Sequence, residues 1–464
     1  MEQEQNNQKQ NNYVSREENN FPEIVPPAPV EKAKPLKFLF VSLESLSGDL
    51  AWQLTREGHQ VKAYIKEKGD VDVYSGFMEK VEDWQPYVDE SDIIIFDDVE
   101  FGEIAENLRK KGKLVIGGSV YTDELEMNRG FGQTEMKKYG INILPQCYFS
   151  NYDEAIEFIK NNPARYVYKP SGNIPSSGKS LLFLGQEEDG NDLLELLNQN
   201  KDVWQKKAQA FQLQKYVSGV EVGIGAFFNG KDFIYPINVN FEHKRLFPGD
   251  LGPFVGEMGT LLFWSKPNTL FKSTLEKMRP ALVQSGYIGY IDINCIVNGR
   301  GIYPLEFTSR FGYPLLQIQL EGITVPAGEW LSKLARGEDF ELKTKRGFQM
   351  GVRILVPSYF ASSKESPKTM EFYRDLPILF KKSNSNWDGI HIEDVKLEKG
   401  VCRIAGTSGC LLVVTGSGFT LSEVRKQVYT RIKNIMVQDM FYRTDIGLRW
   451  LEDSDKLQAW GYLQ

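Results

Sequence analysis

Cysteine and histidine are scarce in this chain: four Cys and three His among 464 residues. Cys147, Cys295, Cys402 and Cys410 are scattered, form no C-x-x-C pair and have no neighbouring His, which argues against a zinc site. They read as buried, reduced thiols of a cytosolic protein. No apolar run approaches the ~20 residues that a membrane span needs, and the N-terminal stretch lacks the apolar core of a secretory signal. A cytoplasmic protein is expected. Positive charge is not in excess either. The formal net charge of −7 argues against a general nucleic-acid binder, whose affinity rests on clustered Lys and Arg. No solenoid-type repeat is present.

What the chain has is apolar material: 41% of residues, with 28 Phe and 21 Tyr, enough for the cores of two to four domains. Residues 1–36 read as a disordered polar and proline-rich tail, too poor in apolar surface to offset its ordering entropy. From 37 to 120, short apolar runs ("LKFLFVS", "QVKAYIK", "SDIIIFDD", "KLVIGG") alternate with helical segments ("GDLAWQLTREG", "GEIAENLRKKG"). That alternation predicts a small parallel sheet with crossover helices, a Rossmann-like α/β domain. Its first turn, "SLESLSGDLA", has one glycine, Gly48, and places Glu44 where an anion would sit. A dinucleotide site of the G-x-G-x-x-G kind is therefore not expected.

Residues 121–342 read as an α+β domain. "TDELEMNRGFGQTEMKKYGI" predicts a helix, and "VEVGIGAFFNGKDFIYPINVNF" and "GYIGYIDINCIVNGRGIYPLEFT" predict hairpins turning at Asn229-Gly230 and Asn298-Gly299. A lid subdomain is expected over about 162–230. Residues 343–464 read as a β-rich α+β unit with an amphipathic helix and no obvious catalytic group.

"KPSGNIPSSGKS", 169–180, ends like a nucleotide P-loop but has five residues rather than four between Gly172 and Gly178. It either ends in Gly-Lys-Ser by chance or cradles phosphate by another architecture. Lys169 ends an apolar strand, and Ser171, Gly172, Ser177 and Gly178 give a backbone that an anion can approach closely. Glu221 follows the strand at 211–217. Asp292 and Glu306 stand on the two arms of one hairpin, where cross-strand pairing can bring two carboxylates to one metal.

This order of parts resembles the ATP-grasp superfamily and, within it, the phosphoribosylamine–glycine ligases (glycinamide ribonucleotide synthetases). The matching stretches are "QKYVSGVEVGIGAFFNGKDFIYPI", "FEHKR", "LGPFVGEMG", "PLEFTSRFGYP" and "FYRTDIGLRW", and the resemblance covers about 37–450. It implies a pre-ATP-grasp domain, an ATP-grasp domain and a C-terminal ligase-family domain, with the glycine loop as a lid over phosphates. ATP and Mg²⁺ (or Mn²⁺) are implied as cofactors. Small-molecule amine and carboxylate substrates of purine biosynthesis are implied as partners, for a monomer or small homo-oligomer. Carried over residue by residue, Lys169 and Arg129 would meet phosphates. Gln214, Lys215, Tyr216 and Val217 would form the adenine hinge, and Glu221 would take the ribose. Glu306 and Asp292 would hold the metal, and Arg310 would steady the transferred phosphoryl group or the substrate carboxylate. His243, Lys244 and Arg245 would face the substrate.

The chain departs from the family pattern in one set of places. Thr308 replaces a metal asparagine, Tyr313 and Leu315 replace two acids, and Phe254, Val255 and Glu257 interrupt a glycine-rich segment. The glycine-rich phosphoribosylamine turn is absent. Three readings stay open: a divergent ligase of that family, an ATP-grasp ligase with another amine or acid, and a non-catalytic descendant that binds a nucleotide or a partner.

Overall fold

The computed structural model describes residues 34–171, 181–360, 366–381 and 387–464. Residues 1–33 of the expected tail, and Gly172, Ser177 and Gly178 with the rest of the expected glycine loop, lie outside the described residues.

The first five strands are Lys37–Ser42 (β1), Gln60–Ile65 (β2), Glu79–Lys80 (β3), Ile93–Phe96 (β4) and Val115–Ile116 (β5). They pair in parallel in the order β3-β2-β1-β4-β5. The apolar runs of β1 and β4 follow from burial on both faces. Phe38 and Phe40 of β1 pack into one core with helix α1 (Gly48–Arg56), while the alternating Leu39 and Val41 pack into another with α2 (Gly102–Lys110).

The single helix expected after residue 121 is two: α3 (Val120–Met127) and α4 (Arg129–Lys138). Asn128 between them is extended (φ −109°, ψ 91°), and its side chain accepts the Phe131 N–H as a cap. The break makes Arg129 the first residue of α4.

A second, antiparallel sheet holds Gln146–Phe149 (β6), Tyr166–Ser171 (β7), Phe183–Leu184 (β8) and Ala210–Lys215 (β9), ordered β6-β9-β7-β8. Helices α5 (Tyr152–Asn161) and α6 (Asn191–Lys207) cover it. Among the described residues β8 pairs with Val167 and Tyr168 and does not reach Pro170, so the missing N–H of Pro170 costs no bond to β8.

The largest sheet begins with Val220–Asn229 (β10) and Phe233–Glu242 (β11), continues after the short hairpin Arg245–Phe247 (β12) and Leu251–Phe254 (β13) with Gly259–Ser265 (β14), and takes in Ile288–Asn298 (β15) and Gly301–Thr308 (β16). Phe348–Leu355 (β17) joins β14 directly. Small pairs form from Leu379–Phe380 (β18) with Ile435–Met436 (β23), and from Val395–Glu398 (β20) with Val401–Ile404 (β21). Ile390–Ile392 (β19) and Cys410–Gly418 (β22) complete the sheet, ordered β16-β15-β10-β11-β14-β17-β22-β19. It therefore runs across residue 343, where the sequence suggests a new unit. Helix α7 (Leu315–Gly322) lies against β14, β17 and β22, α8 (Ala327–Ala335) packs toward β10 and β15, and α9 (Leu421–Ile432) covers β17 and β22. Among the described residues no helix is long and apolar enough to cross a membrane.

Candidate functional site

A cavity of ≈ 490 Å³ opens between the four-stranded and the eight-stranded sheets. One wall is Val167 and Lys169 from β7 with Gln214 to Val217 from the end of β9; the other is Glu221 from β10, Ile296 from β15, and Leu305 and Glu306 from β16. Leu144, Val167, Leu184, Val217, Ile296 and Leu305 make an apolar slot of the kind that accepts a flat heterocycle.

Lys169 is buried, and its Nζ donates to Gln214 Oε1 at 2.7 Å. Because lysine only donates, this contact fixes the amide orientation: Gln214 Nε2 is the atom turned away. That Nε2 is buried with no hydrogen-bond partner, so the slot contains an unmet donor. Burial, followed by the Arg129 charge, pushes the Lys169 ammonium down to about 8, while Glu306 acts in the opposite sense. A buried cation with this much uncompensated charge calls for an anion. The N–H groups of Lys215 and Tyr216 are already bonded to the carbonyls of Pro145 and Arg165. Of the expected hinge residues, they are not the ones free to donate to a base edge.

Glu306 sits under two cations. Arg129 Nη2 lies 2.9 Å from its Oε2, and Lys244 Nζ is 3.8 Å from Oε1. The Arg129 guanidinium, opposed by burial and helped by Lys244, holds this carboxyl down at about 2. Lys244 also reaches Glu221 at 2.9 Å and Glu242 at 3.3 Å. Burial works against its charge, but the three carboxylates hold it well above the usual lysine range.

The expected pairing of Asp292 with Glu306 is not the register found. Asp292 stands opposite Thr308, and Asn294 opposite Glu306. Asp292 is buried, and its Oδ2 accepts from Asn240 Nδ2 at 2.8 Å and lies 3.0 Å from the Tyr290 hydroxyl. Burial and the Glu242 charge raise it to about 7. Gly223 and Gly225 make room for this cluster: a Cβ there would lie 2.2 Å from Asn240 Oδ1 and 1.9 Å from Tyr290 Oη. Asp292 thus belongs to a buried polar layer and does not line the cavity. Among the described residues no group of three or more His, Cys, Asp or Glu could hold a metal ion. Glu306 with Thr308 on the same strand is a sparse oxygen set, of the size that suffices for Mg²⁺ when phosphates and waters complete the shell.

His243, Lys244 and Arg245 diverge. His243 is buried and accepts the Gly447 N–H at Nε2 (3.0 Å); burial, aided by Arg449 and Arg443, lowers it to about 3, so it is neutral. The Arg245 guanidinium lies 4.0 Å over the Phe254 ring. Only Lys244 faces the cavity.

A second cavity of ≈ 380 Å³ adjoins the first through Arg129, Lys169, Leu182 and Glu306 and is lined beyond them by Ser171, Thr308 and Arg310. The Arg310 Nε is 3.1 Å from both Asp98 and Glu126. Burial opposes its charge, but Glu126 and Asp98 outweigh that and keep it fully charged.

Some lining residues are not among the expected site residues. Asp250 and Phe254 come from the β12–β13 hairpin, and Arg449 and Asp453 from the start of α10 (Trp450–Ala459) and the residue before it. Arg443 is wholly buried and ties this corner together: it donates to Asp250 Oδ1 at 3.0 Å, to Asp445 Oδ2 at 2.6 Å and to the Arg245 carbonyl at 2.8 Å.

Two sheets gripping one cavity, with a lysine on one and a glutamate on the other, are an arrangement similar to that of ATP-grasp proteins. The family model described as "Phosphoribosylglycinamide synthetase, ATP-grasp (A) domain" matches residues 127–315, and the chain carries that domain and resembles phosphoribosylamine–glycine ligases. It is 26% identical over 360 residues to the phosphoribosylamine–glycine ligase of Clostridium acetobutylicum, covering 74% of this chain and 81% of that one. It is 28% identical over 371 residues to the Helicobacter pylori ligase, covering 75% and 80%. Among solved structures, phosphoribosylamine–glycine ligase from Thermotoga maritima superposes with a TM-score of 0.67 at 19% identity, covering 89% of this chain and all (100%) of that one. A biotin carboxylase–ATP complex from Campylobacter jejuni has the same fold, at a TM-score of 0.60 and 12% identity over 92% and 97% of the two chains.

Proposed function

We propose that the chain is an ATP-dependent carboxylate–amine ligase, most like phosphoribosylamine–glycine ligase, with ATP held in the cavity between the two sheets. The observation that carries this reading is that Lys169 and Glu306, from different sheets, line the same cavity. The apolar slot and the unmet Gln214 amide take the base, and Glu221 takes the ribose. Lys169 and Arg129 meet the phosphates, and Glu306, with Thr308 beside it, holds the divalent cation. When bound, that cation neutralises phosphate charge.

The chemistry balances without a redox partner. A substrate carboxylate oxygen attacks the γ-phosphorus, ADP leaves, and an acyl phosphate forms. A neutral amine then attacks the acyl carbon, inorganic phosphate leaves, and the amine nitrogen releases a proton as the amide forms. Oxide is a poor leaving group and phosphate a good one, which is why ATP is needed. This chain's residues position and neutralise: Lys169 and Arg129 on one side, Arg310 on the acceptor side.

A second reading, the same ligase chemistry with a different amine, is favoured by the turn after β1, where the Ser47 N–H is already taken by the carboxylate of Asp97, the residue after β4. ADP release tested with glycine plus phosphoribosylamine, and then with a panel of amines and amino acids, separates the two. Release only with the first pair establishes the ligase reading as it stands. Release only with other amines establishes the second, and no release with any substrate despite ATP binding removes both.

A further inference from the structure

The face of the four-stranded sheet that meets the first cavity is rich in glutamine. Strand pairing sets Gln146 of β6 beside Gln214 of β9, and Tyr148 beside Gln212. On the other side of β9, Gln212 stands opposite Lys169 and Gln214 opposite Val167 of β7. Cross-strand partners share a face and can bond to one another. Gln212 Nε2 donates to Gln146 Oε1, and Gln146 Nε2 donates to the Tyr148 hydroxyl at 3.3 Å. Lys169 Nζ donates to Gln214 Oε1 at 2.7 Å. Gln214 Nε2 is left over: it has no partner among the described residues, and Gln214 is only 2% exposed. The acceptor beside it in the register, Gln146 Oε1, is already taken by Gln212.

Its position narrows what this donor can meet. Lys169 lines both cavities of the ligase site, whereas Gln214 lines only the first. Gln214 is therefore on the base side of the lysine, away from the acceptor side where Arg310 stands. Its register partner Val167 belongs to the apolar slot. A base edge, rather than a phosphate, reaches it. The N–H groups of Lys215 and Tyr216 add nothing to that edge, being bonded to the Pro145 and Arg165 carbonyls.

Which base edge fits follows from the donor count. A glutamine amide with both halves free reads adenine through two bonds: it accepts from the 6-amino group and donates to N7. Here the accepting half is turned to Lys169. The half left for a ligand is a donor, and lysine only donates. Lys169 and Gln214 together show a base donors alone. A 6-amino group is itself a donor and finds no acceptor in this pair. A 6-oxo purine presents two adjacent acceptors, O6 and N7, the edge that Lys and Arg read on guanine. A buried donor left unmet is costly, so a ligand acceptor completes the slot.

We propose that Gln214 is a specificity-determining residue of the nucleotide site and that it opens the site to 6-oxo purine nucleoside triphosphates, which bind at least as well as ATP, with O6 received by Gln214 Nε2. The proposal rests on the ligase reading above and widens the phosphoryl donor of that site from ATP to purine triphosphates as a class.

The test is calorimetric titration of the full-length protein, with Mg²⁺ present, by ATP and by inosine triphosphate, which carries O6 in place of the 6-amino group and a proton on N1. The wild type is expected to bind inosine triphosphate within about threefold of ATP, or more tightly. In Gln214→Glu an acceptor replaces the donor at the same side-chain length, and the ratio of the two affinities should swing toward ATP by at least about fivefold, the scale of one hydrogen bond. Taking the ratio removes the effect of the new charge on the triphosphate, which both nucleotides share. Thermal melting confirms that the variant is folded, and the wild-type comparison stands without it. The proposal is overturned if the wild type binds ATP more than about threefold tighter than inosine triphosphate, or if the swing in the variant is smaller than about fivefold. If the wild type binds neither nucleotide, the ligase reading itself has failed and the proposal falls with it; the ATP titration alone shows that.

Discussion

Arg129 and Glu306, 177 residues apart in sequence, form a 2.9 Å ion pair. The pair joins the start of α4 to the edge strand β16, on the wall that faces Lys169 across the cavity. In the proposed site a phosphate and a divalent cation would come between these two side chains, so binding must exchange this pair for stronger partners.

Removing Lys169 tests the phosphate side. Lys169→Ala should weaken MgATP binding by about 10- to 100-fold, the loss expected for ~1.5–3 kcal/mol of charge-assisted hydrogen bonding. Titration calorimetry measures it. The Lys169–Gln214 bond is lost as well, so Gln214→Leu is the matched control; it should cost less because it leaves the cation in place.

ATP binding should be pH-dependent. The Lys169 ammonium is lowered to about 8, and a bound polyphosphate raises it again. Above pH 8, binding therefore takes up a proton, and affinity falls as pH increases. Titrations in buffers of different ionisation enthalpy should show proton uptake near pH 8.5 that disappears in Lys169→Ala.

Stability should also fall toward alkaline pH. Asp97 and Asp292 are raised to about 7, and Glu257 and Asp394 to about 8, burial being the largest cause in each. Carboxyls raised in this way bind protons more tightly folded than unfolded. Their contribution is present at low pH and is lost as pH climbs through the folded values. His243, lowered to about 3, pulls the other way but only below its unfolded value of 6.5. Across the interval from that value to about 8, the four carboxyls act in one direction, and the melting temperature should drop steadily.

Lys244 is the shared counter-charge of Glu221, Glu242 and Glu306. Lys244→Met leaves three carboxylates to repel one another and should cost about 2–3 kcal/mol, below the 3–5 of a fully buried pair because the group keeps some solvent contact. Urea unfolding measures the cost. Adding Glu242→Gln should restore part of it.

Much of this was legible in the sequence for definite reasons. The parallel sheet showed because β1 and β4 are buried on both faces and so are continuously apolar. Lys169 and Glu306 showed because they stand in strands beside recognisable turns and motifs. Asp292 misled: its hairpin position is right, but the register places Asn294 opposite Glu306, and an offset of two residues keeps every side chain on its face, so it leaves no mark on the alternation. His243 misled as well, because a histidine next to Lys and Arg reads as a basic cluster until long-range contacts turn it inward, where it accepts the Gly447 N–H. The break at Asn128, which sets Arg129 at a helix start, follows from a cap that competes with a continuous helical pattern. Asp250, Phe254 and Arg449 reach the cavity only through long-range packing around the buried Arg443.

The most direct test of the two-sheet grip is titration of ATP into the wild-type protein and Glu306→Gln, each with and without Mg²⁺. The account predicts one site per chain with an affinity in the ~1 μM–1 mM range usual for enzyme substrates, strengthened by Mg²⁺ in the wild type and indifferent to Mg²⁺ in the variant. No binding at millimolar ATP, or the same Mg²⁺ dependence in both proteins, would contradict it.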